Sequence, residues 1–123
     1  MKKVIISTDK LDITADLNDS STAQTIYDAL PISGSVERWG DEIYFTIPVH
    51  LEQEPDAKQE VEIGDLGFWP MGNAFCIFFG RTPVSKNEKP RAYSPVNIFG
   101  QVTGDTTVLK NIKSGAEIRV SKV

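Results

Sequence analysis

Gly64-Asp65-Leu66-Gly67-Phe68-Trp69-Pro70-Met71-Gly72-Asn73-Ala74-Phe75-Cys76-Ile77-Phe78-Phe79-Gly80 is the stretch whose reading decides the fold. Phe68, Trp69, Phe75, Phe78 and Phe79 are set among glycines and around Pro70, and a polar loop follows. Such a run can bury nearly everything it carries, so it forms the floor of a barrel or sandwich and a wall of whatever site the domain holds. From Phe75 to Phe79 the strand period of two puts Phe75, Ile77 and Phe79 on one face and Cys76 and Phe78 on the other. A strand apolar on both faces is covered on both, by the rest of the domain or by a ligand.

Working outward, most of the chain reads as short strands. Lys3-Val4-Ile5-Ile6-Ser7-Thr8 and Leu11-Asp12-Ile13-Thr14-Ala15 are joined by Asp9-Lys10, the length of a tight hairpin turn. Asn18-Asp19-Ser20-Ser21 is a capping cluster, and Ala23, Ile26, Tyr27 and Leu30 recur at helical spacing until Pro31 stops the helix. Ser35–Trp39, a Gly40-Asp41 turn and Glu42–Ile47 form a second hairpin pattern, closed by Pro48. The acidic segment from Glu52 to Glu62 reads mostly as surface loop, with strand character at Gln59–Ile63. Arg81–Pro95 is a polar loop containing three prolines, and loops that long in compact domains are usually functional or disordered. Val96–Val102 is a strand, Thr106–Ile112 a short helix behind Asp105, and Glu117–Val120 a last strand after Gly115. Close-spaced strands with two brief helices predict a closed or nearly closed barrel in one domain, residues 1–123.

Charge and composition narrow the function classes. A chain of 123 residues can bury a core without staples, and 40% hydrophobic with 24% charged residues is ordinary for a globular domain. The net charge is −4 and no basic block exceeds Lys2-Lys3, so a nucleic-acid footprint is not expected. No run approaches the roughly 20 apolar residues of a membrane span, and no export leader is recognisable. One cysteine, Cys76, makes no internal disulfide, and a cytoplasmic location is the simplest expectation.

No catalytic set stands out. His50 is the only histidine, so neither a triad nor a zinc site can be assembled, and no metal or cofactor is expected. Cys76 reads as a small buried hydrophobe, since Phe75 and Ile77 do not give the electropositive setting a nucleophile needs. Asp41 and Glu42 point to opposite faces and do not make a paired acid and base. Glu42 reads as a solvated residue or a partner for Arg38 across the hairpin, with a carboxylate at a groove rim as the alternative. Trp39 reads as core, and Trp69, held extended by Pro70, as a ring at the mouth of a groove.

Two segments then point to a family. Asn97-Ile98-Phe99-Gly100-Gln101-Val102 with Asp105, Val108, Leu109, Lys110 and Ile112 resembles the late strand and helix of cyclophilins. Met71–Phe79 resembles their "N-x-N-x-S-Q-F-F" strand. Trp39–Phe45, Val61–Asp65 and Phe79–Pro83 are similar to the small prokaryotic cyclophilin-like proteins of uncharacterised function. The resemblance implies a mainly β fold, a closed eight-stranded barrel with two short helices. In the isomerases a strand "F-H-R-V-I-P" supplies an arginine to the substrate. Laid without gaps on Ile43–Pro48, it implies Phe45 at the arginine and Ile77 at the glutamine of "S-Q-F-F". The tryptophan and histidine of the proline pocket fall near Arg91 and Val96, and Phe79 keeps the phenylalanine of the pocket floor.

The expectation is therefore a binding module rather than a catalyst. An extended peptide or small apolar molecule is expected in a groove of Phe45, Trp69, Ile77 and Phe79, while Cys76 and Phe78 fill the barrel. Thr82 and the backbone of the Arg81–Pro95 loop supply polar orientation, with Glu42, Arg81 and Arg91 at the rim. Two other readings stay open. One is a weak peptidyl-prolyl isomerase, although rotation about X–Pro carries a barrier near ~20 kcal/mol and calls for placed donors. The other is an interaction protein whose apolar face makes a homodimer.

Overall fold

Asp9, in the left-handed region at φ 50°, and Lys10 turn the chain between β1 (Lys3–Thr8) and β2 (Leu11–Leu17). The structure, a computed structural model, describes residues 2–123. Helix α1 (Ser21–Ala29) starts where the Ser20 hydroxyl accepts a hydrogen bond from the Ala23 amide, and it buries Thr22, Ala23 and Ile26. There follow β3 (Ile32–Ser35), β4 (Glu37–Arg38), β5 (Glu42–Thr46), β6 (Lys58–Glu60), β7 (Asp65–Trp69), β8 (Ala74–Phe78) and β9 (Arg91–Thr103). A single 3-10 helix (Thr106–Asn111), capped by Asp105, precedes β10 (Glu117–Lys122).

All pairings are antiparallel, and the strands run in the order β3-β10-β1-β2-β9-β7-β8-β5-β4, with β6 added to β9. The fold is thus mainly β with two helices, but the described residues form ten strands rather than eight, and among them hydrogen bonds do not close the sheet. Its two end strands, β3 and β4, are consecutive in the chain. The stretch expected as one strand, Ser35–Trp39, changes partners at Val36, so β3 pairs with β10 and β4 with β5. Val36 is still held to the chain just before β10, its amide donating to the Ala116 carbonyl and its carbonyl accepting from the Gly115 amide, and the switch to β5 follows it. Chain continuity thus joins the two ends where a ladder would otherwise do so.

The sheet curls around one main core. Ile32 near one end and Ile43 and Phe45 near the other meet there with Ile6, Leu17, Ile26, Leu66, Phe68, Phe75, Ile77, Phe79 and Phe99. Gly34 of β3 lies so close to β5 that a Cβ there would sit 2.9 Å from the Phe45 ring. Phe75 packs on Phe45 and Phe99 with ring centroids 5.3 and 5.0 Å apart. A smaller cluster occupies the opposite face of β7 and β8: Val61, Ala74, Cys76, Phe78, Ala92 and Val96, with Tyr44, Trp69 and Ile98 against it. The aromatic stretch is therefore buried on both faces, as its composition required.

Candidate functional site

The register of β5 on β8 sets the site. Tyr44 lies opposite Cys76 and Glu42 opposite Phe78, whereas Ile43 faces Ile77 and Phe45 faces Phe75. Opposed residues share a face, so the wholly apolar set lines the main core and the mixed set lines the outer face. The expected allocation is reversed. Phe45, Ile77 and Phe79 are core residues, and Cys76 and Phe78 belong to the outer cluster. The physical reason is Glu42: the main core takes the face without a carboxylate. One residue of register in a strand flips every side chain, and the groove expected of Phe45 and Ile77 would need the face opposite the one they occupy.

Strand β9 then folds back over this outer face. Its pairing with β6 shifts between Lys58–Val96 and Glu60–Arg91, so the turn of chain around Tyr93, Ser94 and Pro95 is a bulge. Pro95, which has no amide to donate, sits where a ladder bond is already missing. The last part of the predicted loop is therefore strand, from Arg91. The bulge leaves Tyr93 66% exposed and stands its ring beside both tryptophans. Ring centroids are 6.3 Å apart for Trp39–Tyr93 and 6.1 Å for Trp69–Tyr93, with interplanar angles of 69° and 78°. The Trp69 indole N–H is held by the Ser94 hydroxyl at 2.6 Å. Gly67 permits the fit beneath: a Cβ there would come within 2.8 Å of Val96 and 3.2 Å of Phe78.

Between these elements lies a cavity of about 170 Å³. Trp39, Tyr44, Trp69 and Tyr93 supply aromatic walls, and Glu42, Cys76, Ala92 and Val96 complete the lining. Glu42 is only 5% exposed, and its Oε1 has no hydrogen-bond partner. Burial pushes its pKa up to about 8, and the Cys76 thiol offsets a smaller part. Burial, and then the neighbouring Glu42, pushes the Cys76 thiol well above its usual range, so it is not a nucleophile at neutral pH. Tyr44 is raised too, first by burial and then by Glu37, Glu42 and Cys76. The other largely buried carboxylate, Asp65, accepts from the Glu62 amide at 2.8 Å and from the Gln101 side chain at 3.1 Å. Glu42 has only the Cys76 thiol beside it, and its Oε1 stays unpartnered.

Arg38, the expected partner of Glu42, turns elsewhere. Its guanidinium pairs with Asp41 at 2.9 Å, donates to the Lys110 and Ile112 carbonyls, and lies 4.9 Å over the Phe79 ring. Glu42 is accordingly neither solvated nor ion-paired. Of the expected site residues, the structure brings together Trp69 and Glu42. Thr82 is buried and donates to the Arg91 carbonyl, tying the loop to β9. Arg81 pairs with Glu88 at 3.4 Å, and Arg91 reaches Gln59 at 3.0 Å. None of these three lines the cavity. Sequence reasoning put Trp39 in the core and Cys76 inside the barrel, whereas both line the cavity, and it passed over Tyr44 and Tyr93. A signal for Tyr44 and Cys76 was present, since both alternate onto the face that carries Glu42. Tyr93 depends on a bulge, which leaves no such mark. Among the described residues no group of three or more His, Cys, Asp or Glu is placed to hold a metal ion, and no helix is long and apolar enough to cross a membrane.

The family model described as cyclophilin-like matches residues 2–121. The chain belongs to the cyclophilin-like family. A solution structure of the hypothetical protein AF2241 from Archaeoglobus fulgidus is similar to this cyclophilin-like chain at 36% identity and a TM-score of 0.83, covering 99% of this chain and 95% of that one. McbB, solved in complex with tryptophan, is similar at 16% identity and a TM-score of 0.72. That match covers 97% of this chain and 44% of McbB, and at such identity it shows the fold alone. No curated protein matches the chain.

Proposed function

We propose that this cyclophilin-like chain is a cytoplasmic binding module for a small ligand, or for one side chain of a larger one, seated on the outer face of the sheet. The observation that carries the reading is the cavity walled by Trp39, Tyr44, Trp69 and Tyr93 around a buried, unpartnered carboxylate oxygen of Glu42. A cavity of about 170 Å³ suits one ring or a compact head group. Dry engineered cavities of roughly 150 Å³ hold benzene. An extended peptide would enter it by a single side chain. Isomerase activity is the weaker reading, because no arginine or lysine lines the cavity to donate to a twisting carbonyl. A homodimer built on Phe45, Ile77 and Phe79 is disfavoured too, since those side chains are inside the main core.

A library of single-ring and short-chain compounds, read by thermal shift and by tryptophan fluorescence, tests this. Binders should raise the melting temperature by mass action, and Ala92→Phe, which fills the cavity, should remove the shift from a protein that still melts cooperatively. A library that moves neither signal refutes the reading.

A further inference from the structure

Three properties of the cavity specify the ligand more narrowly, and the argument rests on the binding reading above. Trp39 and Trp69 are both steeply inclined to Tyr93, at 69° and 78°, so three rings enclose a box rather than a slot. Tyr44 adds a fourth wall. Aromatic faces are negative, and boxes of them attract organic cations. In the lining, the buried side-chain oxygen without a hydrogen-bond partner is the Glu42 Oε1, on a residue 5% exposed. No fixed cation neutralises it: Arg38 is committed to Asp41 and to the Gly40, Lys110 and Ile112 carbonyls, and Arg91 to Gln59. The titratable residues that share the lining with Glu42 are Cys76 from β8, Tyr44 and Tyr93, with Glu37 of β4 beside Tyr44. None is positive. An anion has nothing to hold it there. A cation meets four rings and a counter-ion.

We infer that the cavity is an aromatic cage for an organic ammonium group, with Trp39, Tyr44, Trp69 and Tyr93 as its walls and Glu42 as the counter-ion. The chemistry is that of an alkylated ammonium head, on a free small molecule or at the end of a methylated lysine side chain. In the empty cage Glu42 holds its proton at neutral pH, burial having raised it to about 8. Cation binding favours the carboxylate, so seating the ligand expels that proton. Affinity then rises with pH up to the empty cage's pKa and levels off above it.

Trp39 and Trp69 are the chain's two tryptophans and both line the cage, so intrinsic fluorescence reads occupancy directly. Choline chloride, a peptide with one trimethyl-lysine and the uncharged isostere 3,3-dimethylbutan-1-ol are titrated at matched ionic strength from about pH 6 to about pH 9. At least one charged probe should bind saturably and about tenfold or more tighter than the alcohol. Its affinity should climb by up to about tenfold per pH unit below pH ~8 and then flatten. Glu42→Gln, of nearly equal volume, should weaken the charged probe about tenfold and remove the pH dependence, while the alcohol is little affected. Tyr93→Ala, at an exposed position, should weaken the charged probe without unfolding the chain. Tighter choline marks a free ligand and tighter peptide a modified side chain, and either upholds the cage. An alcohol that binds as well as the charged probes overturns the ammonium assignment, as does silence from both charged probes. The binding reading itself falls only if the library of single-ring and short-chain compounds is silent too.

Discussion

Glu42 is where sequence position and chemistry part company. Its burial couples it to folding. Between the ordinary value of 4.5 and about 8 the folded protein keeps a proton that the unfolded chain gives up. Raising pH through that window therefore favours unfolding. Stability from this group is fully present below pH ~4.5 and lost by pH ~8, at no more than about 1.4 kcal/mol per unit and on the order of 3–5 kcal/mol in all. Urea melts of the native chain and Glu42→Gln at pH 5 and pH 8.5 isolate the effect, since every other group cancels between them. The variant should gain by that amount relative to the native chain on going to pH 8.5, and an unchanged difference would show Glu42 to be an ordinary solvated carboxylate. Gly67 acts at the same scale. Its missing Cβ lets Val96 and Phe78 approach β7, so Gly67→Ala should cost about 1–3 kcal/mol in denaturant melts through overpacking alone.

At the scale of elements, strand β5 shows what could be read and what could not. Its alternation was legible: Ile43, Phe45 and Ile47 on one side, Glu42, Tyr44 and Thr46 on the other. Assigning the sides required weighing a carboxylate against three aliphatic and aromatic groups. The resemblance to the isomerase strand put Phe45 on the groove side, whereas its ring is in the main core. Strand β9 was harder. Three prolines between Arg81 and Pro95 suggested loop throughout, yet β6 pairs across a bulge from Arg91 onward, and no local pattern records a partner thirty residues away. The two faces of the aromatic sheet should separate cleanly in mutants. Phe45→Ala removes a ring from the main core and should cost about 3–5 kcal/mol, leaving ligand response intact in the protein that remains folded. Trp69→Ala, half-buried at the cavity, should cost less stability and abolish the response. Equal losses of both properties in both variants would contradict the division of faces.

Across the whole molecule, fold and family were legible because many short strands, two capped helices and several spaced motifs agree, and each constrains the others. That β3 and β4 take different partners was not legible, because the switch turns on the short link at Val36 between two ladders. That arrangement has a dynamic consequence. β4 is two residues long and β6 three, so few ladder bonds hold either, whereas β1, β2 and β9 sit inside long pairings. Short, sparsely bonded elements open locally before the fold does. Those two strands also frame the cavity: Trp39 follows β4 directly, and β6 holds the bulged half of β9 that carries Tyr93. Native-state hydrogen exchange should therefore show the amides around β4 and β6 exchanging fastest among the strands and those of β1 and β2 near the global limit. A bound ligand bridging Trp39 and Tyr93 must raise protection at both weak strands together, because it stabilises only the state in which both are in place. Protection that rises uniformly over the sheet, or only at one of the two, would mean that the ligand does not span the cavity between them.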